Sequence, residues 1–193
     1  MTDVTPRTAS VPGIDSFRPV TFRDTGPDDA RVLVTLRRVM DGGSTLAWLG
    51  EDAARMEVAR VERHGDALTA EGTQLGAVYE VRYRLESELL SVELVGGRTR
   101  EVRLGDADFF DLGYSPLFNS LPVMRDHLLE SADPHTYTMC WVDIPSLEVQ
   151  RSEQRYEHLG RGVIRYRSGA FTADISFDPE GFVVNYPGLA RRV

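Results

Sequence analysis

The chain has 193 residues, 41% apolar and 27% charged, which suits one soluble globular domain with a core of its own. A formal net charge of −8 disfavours a nucleic-acid backbone or an anionic membrane as partner. The single cysteine, Cys140, excludes an internal disulfide and a thiolate metal cluster. Met1 to Ser10 has neither a basic start nor an apolar core, so no signal peptide is read there. No apolar run reaches the roughly 20 residues of a membrane span. A soluble, cytoplasmic protein is expected.

Residues 1–30 carry Pro6, Pro12, Pro19 and Pro27 among Thr, Ser and Asp, a linker-like composition. Residues 1–45 are therefore expected to be a partly disordered N-terminal extension, with residues 46–193 as the domain. Within the extension, Val32, Val34 and Leu36 alternate as in a strand, while Asp28 and Asp29 could cap a competing helix. Asp41-Gly42-Gly43 reads as a turn. Beyond Trp48 the strand pattern is regular. Met56, Val58 and Val61 alternate as the apolar face of a strand, His64-Gly65-Asp66 is a turn, and residues 67–75 are the return. In residues 77–86, Tyr79, Val81, Tyr83 and Leu85 share one face and Glu80, Arg82, Arg84 and Glu86 the other. Gly96-Gly97 is a hairpin turn between residues 89–95 and 98–104, with Val102 and Leu104 facing inward. The short spacing predicts antiparallel pairing.

Phe109 to Arg125 interrupts this pattern as a non-strand insertion. It passes Asp111 and Gly113, then Ser115-Pro116, a helix-start signal, and continues with apolar Leu117, Phe118, Leu121, Val123 and Met124. Strands resume at 136–144, 147–150, 154–159, 163–167, 171–177 and 182–186, with a turn at Asp178-Pro179-Glu180-Gly181. About ten strands in two similar meanders predict a mainly β fold, a curled antiparallel sheet forming an open or spilled β-barrel or roll with one or two short helices. A helical segment over 116–130 is expected to cover part of its concave face.

Catalytic signals are sparse. No GxSxG motif, Gly-rich phosphate loop or metal-ligand spacing is present, so no cofactor and no metal are expected. Asp106 and Asp108 form only half of a calcium loop, and Cys140 beside Trp141 reads as a buried inert thiol. The candidate positions are polar groups in apolar surroundings and aromatics spread over several strands. Asp111 follows two phenylalanines, Asp143 ends an apolar strand, and Arg155 lies beside Tyr156. Inward aromatics in a curled sheet either fill a core or line a pocket, and Tyr and Trp suit an amphiphilic ligand because each joins an apolar face to a donor.

Three segments, DLGYSPLFNSLPV (Asp111–Val123), WVDIPSLEVQRSEQRYEHLG (Trp141–Gly160) and GFVVNYPGL (Gly181–Leu189), resemble the putative glycolipid-binding family of bacterial proteins, a domain of unknown function. The resemblance runs from about Leu46 to Arg191, by strand layout and Trp48 in its first half and by ordered motifs in its second. Asn185 departs from it, standing where the family has an acid, and Leu89-Leu90 replaces a Trp-x-Thr-Arg region. The resemblance implies a curled sheet similar to lipoprotein carriers and a partner that is an amphiphilic small molecule or glycolipid. In that reading Phe118, Leu121 and Trp141 line an apolar trough. Asp111, Asn119, Asp143 and Arg155 hold the polar head, beside Tyr114 and Tyr156. The alternatives are an enzyme on a small hydrophobic substrate with Asp111 or Asp143 as acid or base, and a structural module in which residues 1–45 pair along a neighbour's edge strand to form a homo-oligomer.

Overall fold

The computed structural model describes residues 44–51, 55–61 and 67–193. The expected features of residues 1–43, and the turn at His64-Gly65-Asp66, lie outside the described residues. Among the described residues thirteen strands form one sheet. In chain order these are β1 (Ser44–Gly50), β2 (Met56–Val61), β3 (Ala67–Gln74), β4 (Ala77–Arg84), β5 (Leu89–Leu94), β6 (Arg98–Arg103) and β7 (Phe109–Leu112), then helix α1 (Pro116–Arg125). There follow β8 (His135–Val142), β9 (Val149–Gly160), β10 (Val163–Ser168), β11 (Phe171–Phe177), β12 (Val183–Tyr186) and β13 (Ala190–Arg192).

The order across the sheet is β6-β5-β4-β3-β2-β1-β13-β12-β11-β10-β9-β8-β7. Two meanders are thus joined side by side through β1 and β13, where Trp48 pairs with Arg192 and Gly50 with Ala190. The two lobes expected from the repeated pattern are therefore halves of one continuous sheet. The sheet is curled but unclosed, and its two edge strands, β6 and β7, are consecutive in the chain. The hairpin signals hold where the backbone requires glycine: Gly96 and Gly97 take φ of +113° and +98°, and the Gly97 N–H donates to Leu94 O.

Four expectations are corrected. The first four residues of the insertion, Phe109 to Leu112, are a strand, and β7 runs parallel to β8. Parallel pairing is possible here because α1 and the turns after it form a long crossover between the two strands. Second, the runs at 147–150 and 154–159 belong largely to one long strand, β9, while β1, β7 and β13 are additional, so the described residues hold thirteen strands where about ten were expected. Third, the inward face of β2 is Glu57 and Ala59, both buried, while Met56 is exposed. Hydrophobicity alone assigns that strand to the wrong face, because a buried carboxylate supplied with donors overrides the apolar preference.

The fourth correction concerns α1. Ser115-Pro116 does start it, with Pro in the first turn, and it ends at Arg125 rather than near residue 130. Every residue from Pro116 to Met124 is buried, including Asn119, Ser120 and Pro122. With no exposed residue from Pro116 to Met124, α1 is packed inside the protein against β7 and β12 and keeps no solvent-facing side along that stretch. Ser120 Oγ ties it down by accepting from the Val183 N–H at 3.1 Å while donating to Pro116 O. Gly181 lies so close to Met124 that an added Cβ would meet its side chain at 2.8 Å.

Candidate functional site

The two meanders present different interiors. On β3, β4 and β5 most of the inward row is aliphatic, with Leu68, Ala70, Val81, Leu90 and Val92, and its buried polar members are Tyr79 and Gln74. On β8, β9, β10 and β12 it includes Tyr137, Gln154, Tyr156, Tyr166 and Tyr186. Phenols and an amide in a core need partners. For Gln154 and Tyr156 the partners come from β7 and α1, which bring Asp111 and Asn119 to the same place, while Tyr137 donates to Asp126 at 2.6 Å.

Asp111 is buried, and its Oδ2 accepts from Gln154 Nε2 at 2.5 Å. Gln154 Oε1 in turn accepts from the Tyr156 hydroxyl at 2.9 Å, and Asn119 Nδ2 donates to that hydroxyl at 3.4 Å. Four side chains from β7, β9 and α1 therefore form one buried chain of hydrogen bonds. Burial pushes the Asp111 carboxyl up to about 7; Gln154 and the backbone at Leu112 pull it back, and the negative charge of Glu57 adds to the rise. Burial, together with neighbouring charge that includes Asp111, raises the phenols of Tyr156, Tyr166 and Tyr186.

A second cluster centres on Glu57. Its Oε2 accepts from the Tyr79 hydroxyl at 2.7 Å, and its Oε1 accepts from the Leu117 N–H at 3.1 Å. Leu117 is in the first turn of α1, so a carboxylate from β2 satisfies one of the free donors at the helix N-terminus. Gly72 of β3 permits this arrangement. A Cβ there would lie 2.5 Å from the Tyr79 ring, which crosses over Gly72 to reach Glu57. Burial raises the Glu57 pKa, while the Ser115 hydroxyl, Tyr79 and the Leu117 backbone act against the rise. Ser115 Oγ is close enough to exert that pull yet makes no hydrogen bond of ordinary geometry.

Aromatic rings link the Asp111 cluster to the surface. Centroids are 5.8 Å apart for Tyr137 and Tyr156, 5.4 Å for Tyr156 and Tyr166, 6.0 Å for Tyr166 and Tyr186, and 6.4 Å for Tyr186 and Phe171. Tyr156 is 1% exposed and Phe171 51%, so the row runs from the core to solvent. Phe171 lies at a shallow open hollow of about 600 Å³, whose lining also includes Arg165, Arg167, Asp174 and Pro187.

The structure brings some of the sequence-expected positions together and separates others. Asp111, Asn119 and Tyr156 meet through Gln154, and half-buried Trp141 is the register partner of Asp111 on β8. Phe118 and Leu121 are buried in the core as part of α1. Tyr114 sits apart, exposed, with φ of +70° and Arg55 stacked 4.7 Å above its ring. Asp143 anchors the β8–β9 loop, its Oδ2 accepting from the Ser146 hydroxyl at 2.6 Å. Arg155 is exposed on the face of β9 opposite Tyr156. Arg155, Asp143 and Tyr114 thus lie away from the Asp111 cluster. The sequence reading missed Gln154 and Glu57. The Gln-x-Tyr spacing of Gln154 and Tyr156, which puts both on one strand face, was the available signal for the first. Glu57 had none, because its partners are remote in sequence. Cys140 is buried and burial pushes its thiol up to about 11, which fits an inert core residue.

Among the described residues there is no group of three or more acids, histidines or cysteines placed to hold a metal, and no helix long and apolar enough to cross a membrane. No curated protein matches the sequence. A crystal structure of a DUF1089 family protein from Pseudomonas aeruginosa has the same fold, with a TM-score of 0.59 and 21% identity over 75% of this chain and 95% of that one. The sequence profile of a family described as putative glycolipid-binding matches residues 92–192, from β5 to β13, leaving outside it the region where the resemblance rested on strand layout and Trp48. Because that match covers more than half of the chain, and includes Asp111, Asn119, Gln154 and the tyrosine row, the protein belongs to the putative glycolipid-binding family.

Proposed function

We propose that this protein binds an amphiphilic ligand, a glycolipid or another acyl-bearing molecule, without transforming it. The observation that carries this reading is the row of rings from exposed Phe171 through Tyr186 and Tyr166 to Tyr156, which ends on the Asp111–Gln154–Asn119 cluster. A surface ring at a hollow gives apolar contact, and the hydroxyls and amides behind it give direction-specific hydrogen bonds. The family's description supports the same class of ligand. An acyl chain adds roughly 0.8 kcal/mol per buried methylene, so a chain of about ten methylenes suffices for useful affinity after ordering costs.

The test is native mass spectrometry of the full chain purified gently from cell extract, combined with titration of the uncharged probe Nile red. A lipid-sized adduct and a probe signal displaced by an alkyl glycoside are expected. A clean apo mass with no probe binding overturns the proposal.

Acid–base catalysis at Asp111 is the second reading, favoured by a carboxyl that burial pushes up to about 7. Its hydrogen-bond partner, Gln154, cannot exchange a proton with it. Asp111→Asn separates the readings: it abolishes turnover of a substrate, and it leaves a binding protein that still retains lipid.

A further inference from the structure

We infer that the outer face of the first meander is a docking surface, and that its occupant is the basic, apolar segment of this same chain at residues 31–40. Leu49 pairs with Met56, Met56 with Thr73 and Thr73 with Val78, and the Val95 N–H donates to Val78 O. These positions form one row across β1 to β5. The row faces outward, since the residues next to it along each strand, Trp48, Glu57, Gln74, Tyr79 and Leu94, are buried. Leu49, Met56, Val78 and Val95 are 44% to 70% exposed, and Leu75, in the β3–β4 turn at the same end, is 69% exposed. They are five of the nine exposed large apolar side chains among the described residues. Exposed apolar residues scattered singly need no explanation, but five gathered on adjacent strands mark a contact surface. All but Val95 lie before residue 92, where the family match begins, so this surface is largely outside what that match covers.

The charges beside the row say what fits it. Two residues along the strands, on the same face, Glu71 pairs with Glu80 and Glu80 with Glu93. Carboxylates directly opposite one another are unfavourable unless cations meet them. Arg60 approaches Glu71 at 3.9 Å, while among the described residues Glu80 and Glu93 form no ion pair. The occupant is therefore apolar along one line and basic along another about 7 Å away. A second copy would set acids against acids, and each chain carries a net charge of −8. Residues 31–40, RVLVTLRRVM, supply six apolar side chains, three arginines and no acid. Asp41, Gly42 and Gly43 alone separate them from Ser44, where β1 begins. Ala47 and Val58 continue the acidic row onto β1 and β2. A chain that turns back before Ser44 and follows β1 residue for residue brings Arg37 to the level of Ala47, and Val34 and Leu36 to that of Leu49. Ten extended residues reach roughly 33 Å, and the row from Leu49 to Val95 spans about 19 Å.

The experiment measures maleimide labelling of Val78→Cys in the full chain, where the native thiol, Cys140, is buried. Arg37→Glu together with Arg38→Glu should raise the labelling rate roughly tenfold. Adding Glu80→Arg and Glu93→Arg should restore the slow rate, because the charges are then exchanged rather than lost. Glu153→Cys, exposed on the outer face of β9, should label at one rate in all these backgrounds. Under mild oxidation Leu36→Cys should form an intramolecular disulfide with Val78→Cys and do so far more slowly with Glu153→Cys. A Val78→Cys rate that ignores the charge reversal overturns the inference, and so does equal cross-linking to both positions. Light scattering should find that Val78→Asp leaves the molar mass unchanged. A dimer that dissociates in Val78→Asp, with Val78→Cys labelling faster in dilute protein, puts a second copy on this face and overturns the role of residues 31–40.

Discussion

The two meanders of this sheet share their strand spacing and, apart from the parallel pair of β7 and β8, their antiparallel pairing, yet they differ in how much polar chemistry they bury. Around β3, β4 and β5 the interior is mainly aliphatic, and apart from Tyr79 and Gln74 it needs only volume and shape. Around β8, β9, β10 and β12 the aliphatic residues are joined by four tyrosines and an amide, and buried hydroxyls and amides need partners. The first interior can be replaced by other well-packed apolar residues with little loss of uniqueness. The second demands particular partners, which for Gln154 and Tyr156 β7 and α1 supply. The family match, at 92–192, includes the whole of the second and little of the first. Architecture is common to both halves; the Glu57–Tyr79 pair is the polar centre of the first, and the larger polar network lies in the second.

The largest test of this contrast is pH. The unfolded Asp111 carboxyl titrates near 3.8 and the folded one at about 7, so the native state holds its proton more tightly. Stability associated with the protonated acid is fully present below about pH 4 and is lost as pH rises through about 7, with a ceiling on the order of 4 kcal/mol. Glu57, also raised, acts in the same direction. Thermal melts between these limits should show a falling Tm in the wild type and a flatter profile in Asp111→Asn. An equal slope in both breaks the contrast.

Leu90, fully buried in the aliphatic half, comes next. Leu90→Ala should cost about 3 kcal/mol by urea denaturation and leave alkyl-glycoside affinity unchanged in the folded fraction. Gly72→Ala tests the place where polar chemistry enters the aliphatic half. Its Cβ would collide with the Tyr79 ring and the Met56 carbonyl, so a loss of about 2 kcal/mol is expected. Tyr156→Phe should have the smallest effect on stability, about 1 kcal/mol, because it leaves Gln154 Oε1 and Asn119 Nδ2 without that hydroxyl. It should also weaken head-group binding in the probe assay, which Leu90→Ala does not. A Tyr156→Phe protein that binds as tightly as wild type removes the tyrosine row from the site.

Legibility in the sequence followed the range of the interactions. The alternation of Tyr79, Val81 and Leu85 read correctly because strand periodicity is local, and so did the Ser115-Pro116 helix start and the Gly96-Gly97 hairpin. The turn at Asp178–Gly181 closes through the Gly181 N–H to Asp178 O, as its residues suggest. Asp111 and Tyr156 were identifiable as polar groups in apolar runs, but the pairing of Asp111 with Gln154 spans 43 positions and leaves no local mark. The inward turn of Glu57 depends on Tyr79 crossing Gly72 and on a helix start 60 residues away, so the apolar pattern of β2 pointed to the wrong face. Arg155 and Tyr156 looked like neighbours, and adjacency along a strand puts them on opposite faces.

By itself the sequence determined a β-rich chain, its turns, one helix start and membership of a family, because each is written in short-range spacing or in ordered motifs. Tertiary structure alone decided that Phe109–Leu112 becomes a parallel edge strand, that α1 is packed inside the protein, and that two carboxylic acids are buried. The reason is physical. Burial, and the satisfaction of a buried polar atom, depend on everything packed around a residue, and for Asp111 and Glu57 those surroundings come from strands and a helix far away along the chain.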